Sequence, residues 1–374
     1  MHTKSDITYV RPADIPTDNL YGNFWNSIRG TIYAIDGLRA RNGTFNTPWE
    51  YYINPAFTTP QWRFVDYNLA DIYDQRALEL ANIARTQNKK ICIMWSGGID
   101  STSVLASFIK NLNTSDLKNI CVILSLASIE ENTQFYQKFI QGKLECMPLF
   151  ELNVCDKFLN ENILITGDPG NGLFGPSQGM YKHLLEDNRY KLPWQDNTDL
   201  IKLGIHSKTT GFANWYVGKI TKNLLEVNLD GVETIADWWW WHYINFKWEF
   251  SITRPLFYSR HNPKESISQE NSNNLITCTF YNTEKFQLWS YSNLKNHVRS
   301  GNLKEHKLIV KKYIFDLDHD IDYLENKLVV QSLPKNKEQL KILPLYYTKD
   351  WVAHYESDPV AYSKIKTALD DYTG

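Results

Sequence analysis

The chain has no uncharged apolar run of roughly 18 residues, the length a membrane span needs. Its first residues, Met-His-Thr-Lys-Ser-Asp-Ile, contain no apolar core of a secretory leader. Neither sign of charge dominates: 40 Lys and Arg stand against 42 Asp and Glu, a net charge of -2. No basic field therefore draws nucleic acid. Cysteine is scarce and odd in number, with five residues (Cys92, Cys121, Cys146, Cys155 and Cys278) and no Cys-x-x-Cys pair. That argues against a structural zinc site and suits a reducing compartment. Several of these cysteines fall in apolar runs, where Cys behaves as a small buried hydrophobe. The nine histidines show no metal-ligand spacing, and no internal repeat is evident. The expectation is a cytoplasmic protein with no membrane attachment and no nucleic-acid partner; the oligomeric state is left open.

What is present is a large, aromatic-rich chain. Its 374 residues, 43% of them hydrophobic, suffice for one or two domains with a substantial core. Residues 1–66 read as a short, irregular, aromatic-rich region with strand-like runs such as Thr31–Ile35, and residues 67–374 as the main domain. Within the latter, Asp71 to Asn88 has helical spacing of Ile72, Ala77, Leu80, Ala81 and Ala84. Apolar runs at 91–94, 120–124 and 162–165 read as buried strands, with a further strand expected over Phe150–Val154 and a helix over Glu130–Ile140. Strands alternating with helices predict an α/β fold, a parallel twisted sheet with flanking helices, followed by a helical C-terminal part. Residues 259–274 are polar and turn-rich, and read as a long loop. Trp238 to Trp241 are consecutive; on a helix they face all directions, which predicts at least one buried and one exposed or in a pocket. Helix packing is the simpler role. An aromatic substrate wall extended by Asn245 and Lys247 is the alternative.

The strongest motif is Trp95-Ser96-Gly97-Gly98-Ile99-Asp100-Ser101-Thr102. An apolar strand feeds it, and Val104, Leu105, Phe108, Ile109 and Leu112 mark the apolar stripe of a helix beyond it. Gly97 and Gly98 permit positive φ and close approach to an anion. Ser96, Ser101 and Thr102 add hydroxyl donors, and the first helical amides lack intrahelical partners at the positive end of the dipole. Such a nest suits pyrophosphate. Asp100 would repel a phosphate directly and is expected to act through Mg²⁺. The spacing is neither a Walker A loop nor a Rossmann fingerprint. A tight turn that binds nothing is the bland alternative.

A second Gly/Asp-rich turn, Thr166-Gly167-Asp168-Pro169-Gly170-Asn171-Gly172-Leu173-Phe174-Gly175, follows the strand at 162–165. Ligands gather at such strand ends in open α/β sheets, although a Pro-Gly turn with an exposed Asp is also consistent.

The first motif resembles the PP-loop of the N-type ATP pyrophosphatases. The two motifs together resemble the synthetase domain of the asparagine synthetase family, over about residue 70 to the end. The second is altered, with Thr166-Gly167 for Ser-Gly, Asp168 for Glu and Asn171 for Asp. Thr277 to Asn282 stands where that family shows Arg-x-Pro-Phe-Leu-Asp and lacks its Arg, Pro and Asp. The resemblance implies an adenine-nucleotide hydrolase-like fold and an ATP-dependent, AMP-forming ligase that adenylates a carboxylate and passes it to ammonia or an amine. It implies that Ser96, Gly97, Gly98, Ser101 and Thr102 hold pyrophosphate, that Thr166 and Gly167 border the nucleotide, and that Leu124, at a strand end, lies by the adenine. Asp100 and Asn171 would serve Mg²⁺, more weakly for the lost charge at 171. Asp168 would serve the acceptor side, and Lys327, in Tyr323-Leu324-Glu325-Asn326-Lys327, would be the catalytic lysine; an ordinary surface lysine is the alternative there.

Position 2 is His2, and no Cys precedes Cys92, so no glutaminase activity is expected in this chain. The altered Arg-x-Pro-Phe-Leu-Asp segment points away from aspartate as the acid. Two other readings remain: a PP-loop enzyme modifying a nucleobase or tRNA, which the absent zinc cysteines and neutral charge disfavour, and a nucleotide-binding module without catalysis.

Overall fold

The computed structural model describes residues 6–9, 59–174, 184, 187–204, 210–253, 255, 266–297, 307–327 and 346–347. Most of residues 1–58, Gly175 and the segment 259–265 therefore lie outside the described residues, as does the expected strand at Thr31–Ile35.

Four strands make a wholly parallel sheet: β2 (Lys90–Met94), β3 (Ile120–Leu124), β4 (Glu145–Pro148) and β5 (Asn162–Thr166), in the order β4-β3-β2-β5. The two central strands are almost continuously buried (Ile91 to Ile93 and Ile120 to Ile123), as expected where both faces of a parallel sheet are covered. In register, Ile93 faces Val122 on one side and Ile165 on the other. Flanking helices include α1 (Leu69–Thr86) and α2 (Ile99–Asn111). Asn68 caps α1 by accepting from the Ala70 amide at 2.8 Å, and its apolar stripe (Ile72, Tyr73, Ala77, Leu80, Ala84) is buried. A smaller antiparallel sheet joins β1 (Asp6–Tyr9) to β6 (Ser266–Ser268) and β7 (Tyr346–Tyr347), with Ile7 opposite Ile267. Beyond residue 175 the described elements are mostly helical. Among the described residues no helix is long and apolar enough to cross a membrane.

Three expectations are corrected. The strand beside β3 is Glu145–Pro148, not 150–154. It is an edge strand with an exposed, polar start, and its terminal Pro148 is tolerable only at an edge. Leu152 and Val154 are buried in the core without strand pairing. The helix expected over 130–140 is broken at Asn132 (φ -148), which caps a new turn that runs into a π-helix at Tyr136–Ile140. The polar stretch 259–274 is not a loop throughout: Gln269–Cys278 is helical. Ser268 caps it, and the Asp156 carboxylate accepts from the Ser268 amide, the Ser268 hydroxyl and the Asn271 side chain. Asn271 is buried and Ser268 and Asp156 are half-buried, with their hydrogen bonds met by one another.

The tryptophan run lies on α3 (Ile235–His242), and all four indoles are 0% exposed. None faces solvent, contrary to expectation, because this helix is enclosed on every side. Trp238 donates to Thr221 at 3.1 Å and Trp240 to Ser290 at 2.9 Å. Trp62 packs edge-on against Trp240 and Trp241. At ~25 cal/mol per Å² and ~200 Å² per aromatic ring, each contributes up to about 5 kcal/mol of transfer free energy, an upper bound.

His242 sits among these rings, stacked on Trp238 and Phe246. Burial, with Lys247 adding to it, holds its pKa well below the usual imidazole range. The folded state therefore binds fewer protons than the unfolded chain once pH drops below about 6.5, and stability present above that pH is lost on acidification. Between pH 7.5 and 5.5 the stability advantage of the native chain over His242→Gln is expected to shrink by about 1.4 kcal/mol, measured by urea denaturation. A constant difference would show that His242 binds its proton as readily in the folded as in the unfolded chain.

Candidate active site

From β2 the strands run outward through β3 to β4, and β5 lies on the other side of β2, so the strand order reverses between β2 and β5. The crevice between their carboxyl ends is the switch point where open α/β sheets accept ligands. Both motifs lie there. Their closeness is set by glycines. A Cβ on Gly167 would fall 2.6 Å from the Ser101 amide nitrogen, and one on Gly170 would fall 2.7 Å from the Asp100 Cγ. The second turn thus lies directly on the first turn of α2.

The loop itself has the expected strand–turn–helix form. Gly97 takes φ +74, which L side chains rarely adopt, and its Cα faces the helix Leu126–Glu131, where a Cβ would meet the Ser128 carbonyl at 2.4 Å. Gly98 is the N-cap residue of α2 and provides no side-chain cap. Among the described residues the amides of Gly97, Ile99, Asp100 and Ser101 meet no acceptor, and those of 99–101 point from a helix N-terminus. Seryl hydroxyls behave differently from expectation. The Ser101 hydroxyl accepts from the Ser96 amide at 3.0 Å, lies 2.9 Å from the Ser96 hydroxyl, and donates to the Gly98 carbonyl at 3.2 Å. They brace the turn. Thr102 is 0% exposed and accepts from the Trp95 indole at 3.0 Å, so it supports the loop from beneath and does not offer a donor to a ligand.

Behind the loop stands a closed set of three hydroxyls. Tyr73 and Tyr281 are 2.8 Å apart, Ser103 lies 3.1 and 2.9 Å from them, and both Ser103 and Tyr281 donate to the Asp100 carbonyl, at 2.9 and 3.0 Å. Burial raises both phenols, so they stay neutral donors. Tyr281 comes from the altered segment 277–282. The neighbouring Asn282 accepts from Trp248 at 2.9 Å.

One decisive residue is invisible to motif reading. Lys307 reaches in from the residue before α4 (Leu308–Asp318), its side chain 5% exposed, and bonds the Asp100 Oδ2 at 2.5 Å and the Asn171 Oδ1 at 2.6 Å. It thereby joins the two motifs. An ammonium carries three N–H groups, and these two bonds leave one spare. Burial pushes the Asp100 carboxyl up; Lys307 opposes this, and Asp168 adds to it, so both acids act at the same locus. Lys327 is likewise not a surface residue. It follows α5 (Ile321–Asn326), its side chain is 7% exposed, and it is held by the Glu131 side chain at 2.5 Å and the Glu131 carbonyl at 3.0 Å. Glu131 borders Gly97, and the Tyr323 hydroxyl lies 3.5 Å from the Gly97 carbonyl. The structure therefore brings Lys327 to the loop's other flank, away from the Asp100–Asn171 pair. Leu124 ends β3, and Thr166 ends β5 with its hydroxyl accepting from the Asp168 amide at 3.2 Å.

The pair expected to hold Mg²⁺ does not fit it. Mg²⁺ wants near-octahedral oxygens at about 2.0–2.1 Å. The Asp100 Oδ2 and Asn171 Oδ1 share an ammonium instead, and the remaining Asp100 Oδ1, buried and unpartnered, is pressed against Gly170. Among the described residues no group of three or more His, Cys, Asp or Glu side chains could hold a metal.

Comparison with protein-family models, curated proteins and solved structures yields no match to this chain.

Two glycine substitutions test the contact between the motifs. Gly167→Ala drives a Cβ into the Ser101 backbone and is expected to cost about 1–3 kcal/mol or more. Gly218→Ala, in open space on the helix Thr210–Val227, is expected to stabilise by up to about 1 kcal/mol. Denaturant midpoints check both. Equal effects of the two changes would mean that the turns do not touch.

Proposed function

We propose that this chain is an ATP-dependent, AMP-forming ligase that activates a substrate carboxylate and transfers the acyl group to ammonia or an amine. The observation that carries the reading is the convergence, at one switch point, of unpartnered loop amides with a buried ammonium that ties both motifs together. Amides and ammonium alike are donors set for a polyanion before it arrives, which is the preorganisation that phosphoryl transfer requires.

In the first step a carboxylate oxygen bonds to the α-phosphorus, and the α–β phosphoanhydride breaks with its electron pair leaving on pyrophosphate. In the second, an amine attacks the acyl carbon and the bond to AMP breaks. The amides of 97 and 99–101 and the spare Lys307 N–H receive the departing diphosphate. Asp168, beside Asp100, takes the acceptor side and the proton that the amine releases. Lys327 can meet an α-phosphate only by leaving Glu131, and breaking such a buried pair costs about 3–5 kcal/mol. Lys307 needs no such exchange. Most of the rate enhancement is positional and electrostatic.

The leading nucleophile is free ammonia or an amine on a small molecule. The altered 277–282 segment, neutral at Thr277 and Asn282, favours an acid other than aspartate.

The test is exchange of labelled pyrophosphate into ATP in the presence of a broad panel of carboxylic acids. One or more acids should support exchange, and Lys307→Met should lower it at least 100-fold, about 2.7 kcal/mol in the barrier. ATP binding with no exchange for any acid would instead assign the chain to nucleotide-binding modules.

A further inference from the structure

We infer that the loop's anion site works without a metal ion held by the protein, with the Lys307 ammonium standing in place of the divalent cation. The inference deepens the nucleotide reading and rests on it: residues 96–102 must receive a diphosphate.

Four observations carry it. First, the oxygens best placed to ligate a cation, Asp100 Oδ2 and Asn171 Oδ1, converge on Lys307. A divalent ion at the same point would have to expel the ammonium or sit against it, and like charges repel. Second, the hydrogen-bonded trio is balanced. Asp100 supplies one negative charge, Asn171 supplies none, and Lys307 supplies one positive, so the trio is neutral before any ligand binds. An Asp at 171 would tip that balance toward negative charge for Mg²⁺ to offset; Asn171 does not, and Asp168 nearby is a carboxylate outside the bonded trio. Third, the other Asp100 oxygen is packed against Gly170, where an added Cβ would lie 3.0 Å from Oδ1.

Fourth, the lysine is held at a cost. Lys307 adopts φ +54, in the left-handed region that non-glycine residues enter rarely. Its helix continues into Lys311, itself 1% exposed, whose ammonium donates to the Lys327 carbonyl at 3.2 Å. Lys311 thus anchors the start of α4 to the loop's other flank. Backbone strain of this kind persists where surrounding contacts impose it. Here it delivers a buried cation, with one N–H unspent, to the junction of the two turns.

The ligand class is a pyrophosphate or the diphosphate tail of a nucleotide, bound through N–H donors and not through a bridging metal. The probe is inorganic pyrophosphate, titrated calorimetrically into the whole chain at fixed ionic strength, once with EDTA and once with Mg²⁺. The dissociation constant with EDTA should equal or better that with Mg²⁺. Lys307→Met should weaken binding in EDTA at least tenfold. Asn171→Asp restores a second carboxylate; it should weaken binding in EDTA and make Mg²⁺ stimulatory. Binding by the native chain that is tenfold or more tighter with Mg²⁺ would overturn the inference while leaving the loop's role intact. Failure to bind under either condition would overturn both. The native measurement decides even if a variant does not fold.

Discussion

The shared ammonium of Lys307 is the contact on which the rest of the site depends. It draws together two turns from neighbouring strands, each presenting a polar side-chain oxygen to the same cation. Asp100 is part-buried, its carboxyl pushed up by burial and pulled back by this lysine. Asn171 presents its side-chain oxygen to the same cation. Removing the ammonium would leave a buried charge without compensation. The same contact is also the proposed function's main asset, because the charge that steadies the folded turns is already placed to receive an anion.

The scaffold makes that contact possible by bringing backbones unusually close. Gly167 and Gly170 let the second turn lie against Ser101 and Asp100, and Gly172 leaves room for the Tyr243 ring, which a Cβ would meet at 2.3 Å. Tyr243 opens a π-helix, Tyr243–Lys247, that continues the tryptophan helix, and the tryptophans are thereby tied to the site through packing and not through solvent exposure. On the opposite side, the Tyr73–Ser103–Tyr281 hydroxyls fix the Asp100 carbonyl, so the carboxylate is presented from a backbone that cannot easily turn. The loop's own serines spend their hydroxyls on the turn. What remains for a ligand is backbone amide and lysine, a donor set with little freedom left to lose on binding.

Much of this could be read locally. The buried strands at 90–94, 120–124 and 162–166, the helices at 69–86 and 99–111, and the glycine turn between strand and helix all follow from short-range hydrophobic periodicity and from glycine's tolerance of φ +74 at Gly97. Reading failed where a partner outside the local window decided the outcome. Glu145–Pro148 pairs as a strand although it is short, starts on an exposed Glu and ends in Pro, because β3 offers it an edge. Gln269–Cys278 is helical although rich in Asn and Ser, because Asp156 accepts from the capping Ser268 and from Asn271 in the first turn. The hydroxyl of Thr102, which resembles a ligand group in sequence, turns to the Trp95 indole.

The amino-acid sequence by itself determined that a parallel α/β sheet would form and that residues 96–102 would bend into a helix-capping glycine turn, since both depend on residue spacing within a few turns of chain. Only the tertiary structure decided which cation would serve that turn. Lys307 lies 207 residues from Asp100, in a stretch where Lys304, Lys311 and Lys312 are equally plausible from composition. The choice among them was made by helix placement and burial, which convert one of several like charges into the partner of a single carboxylate, and no local pattern records that outcome.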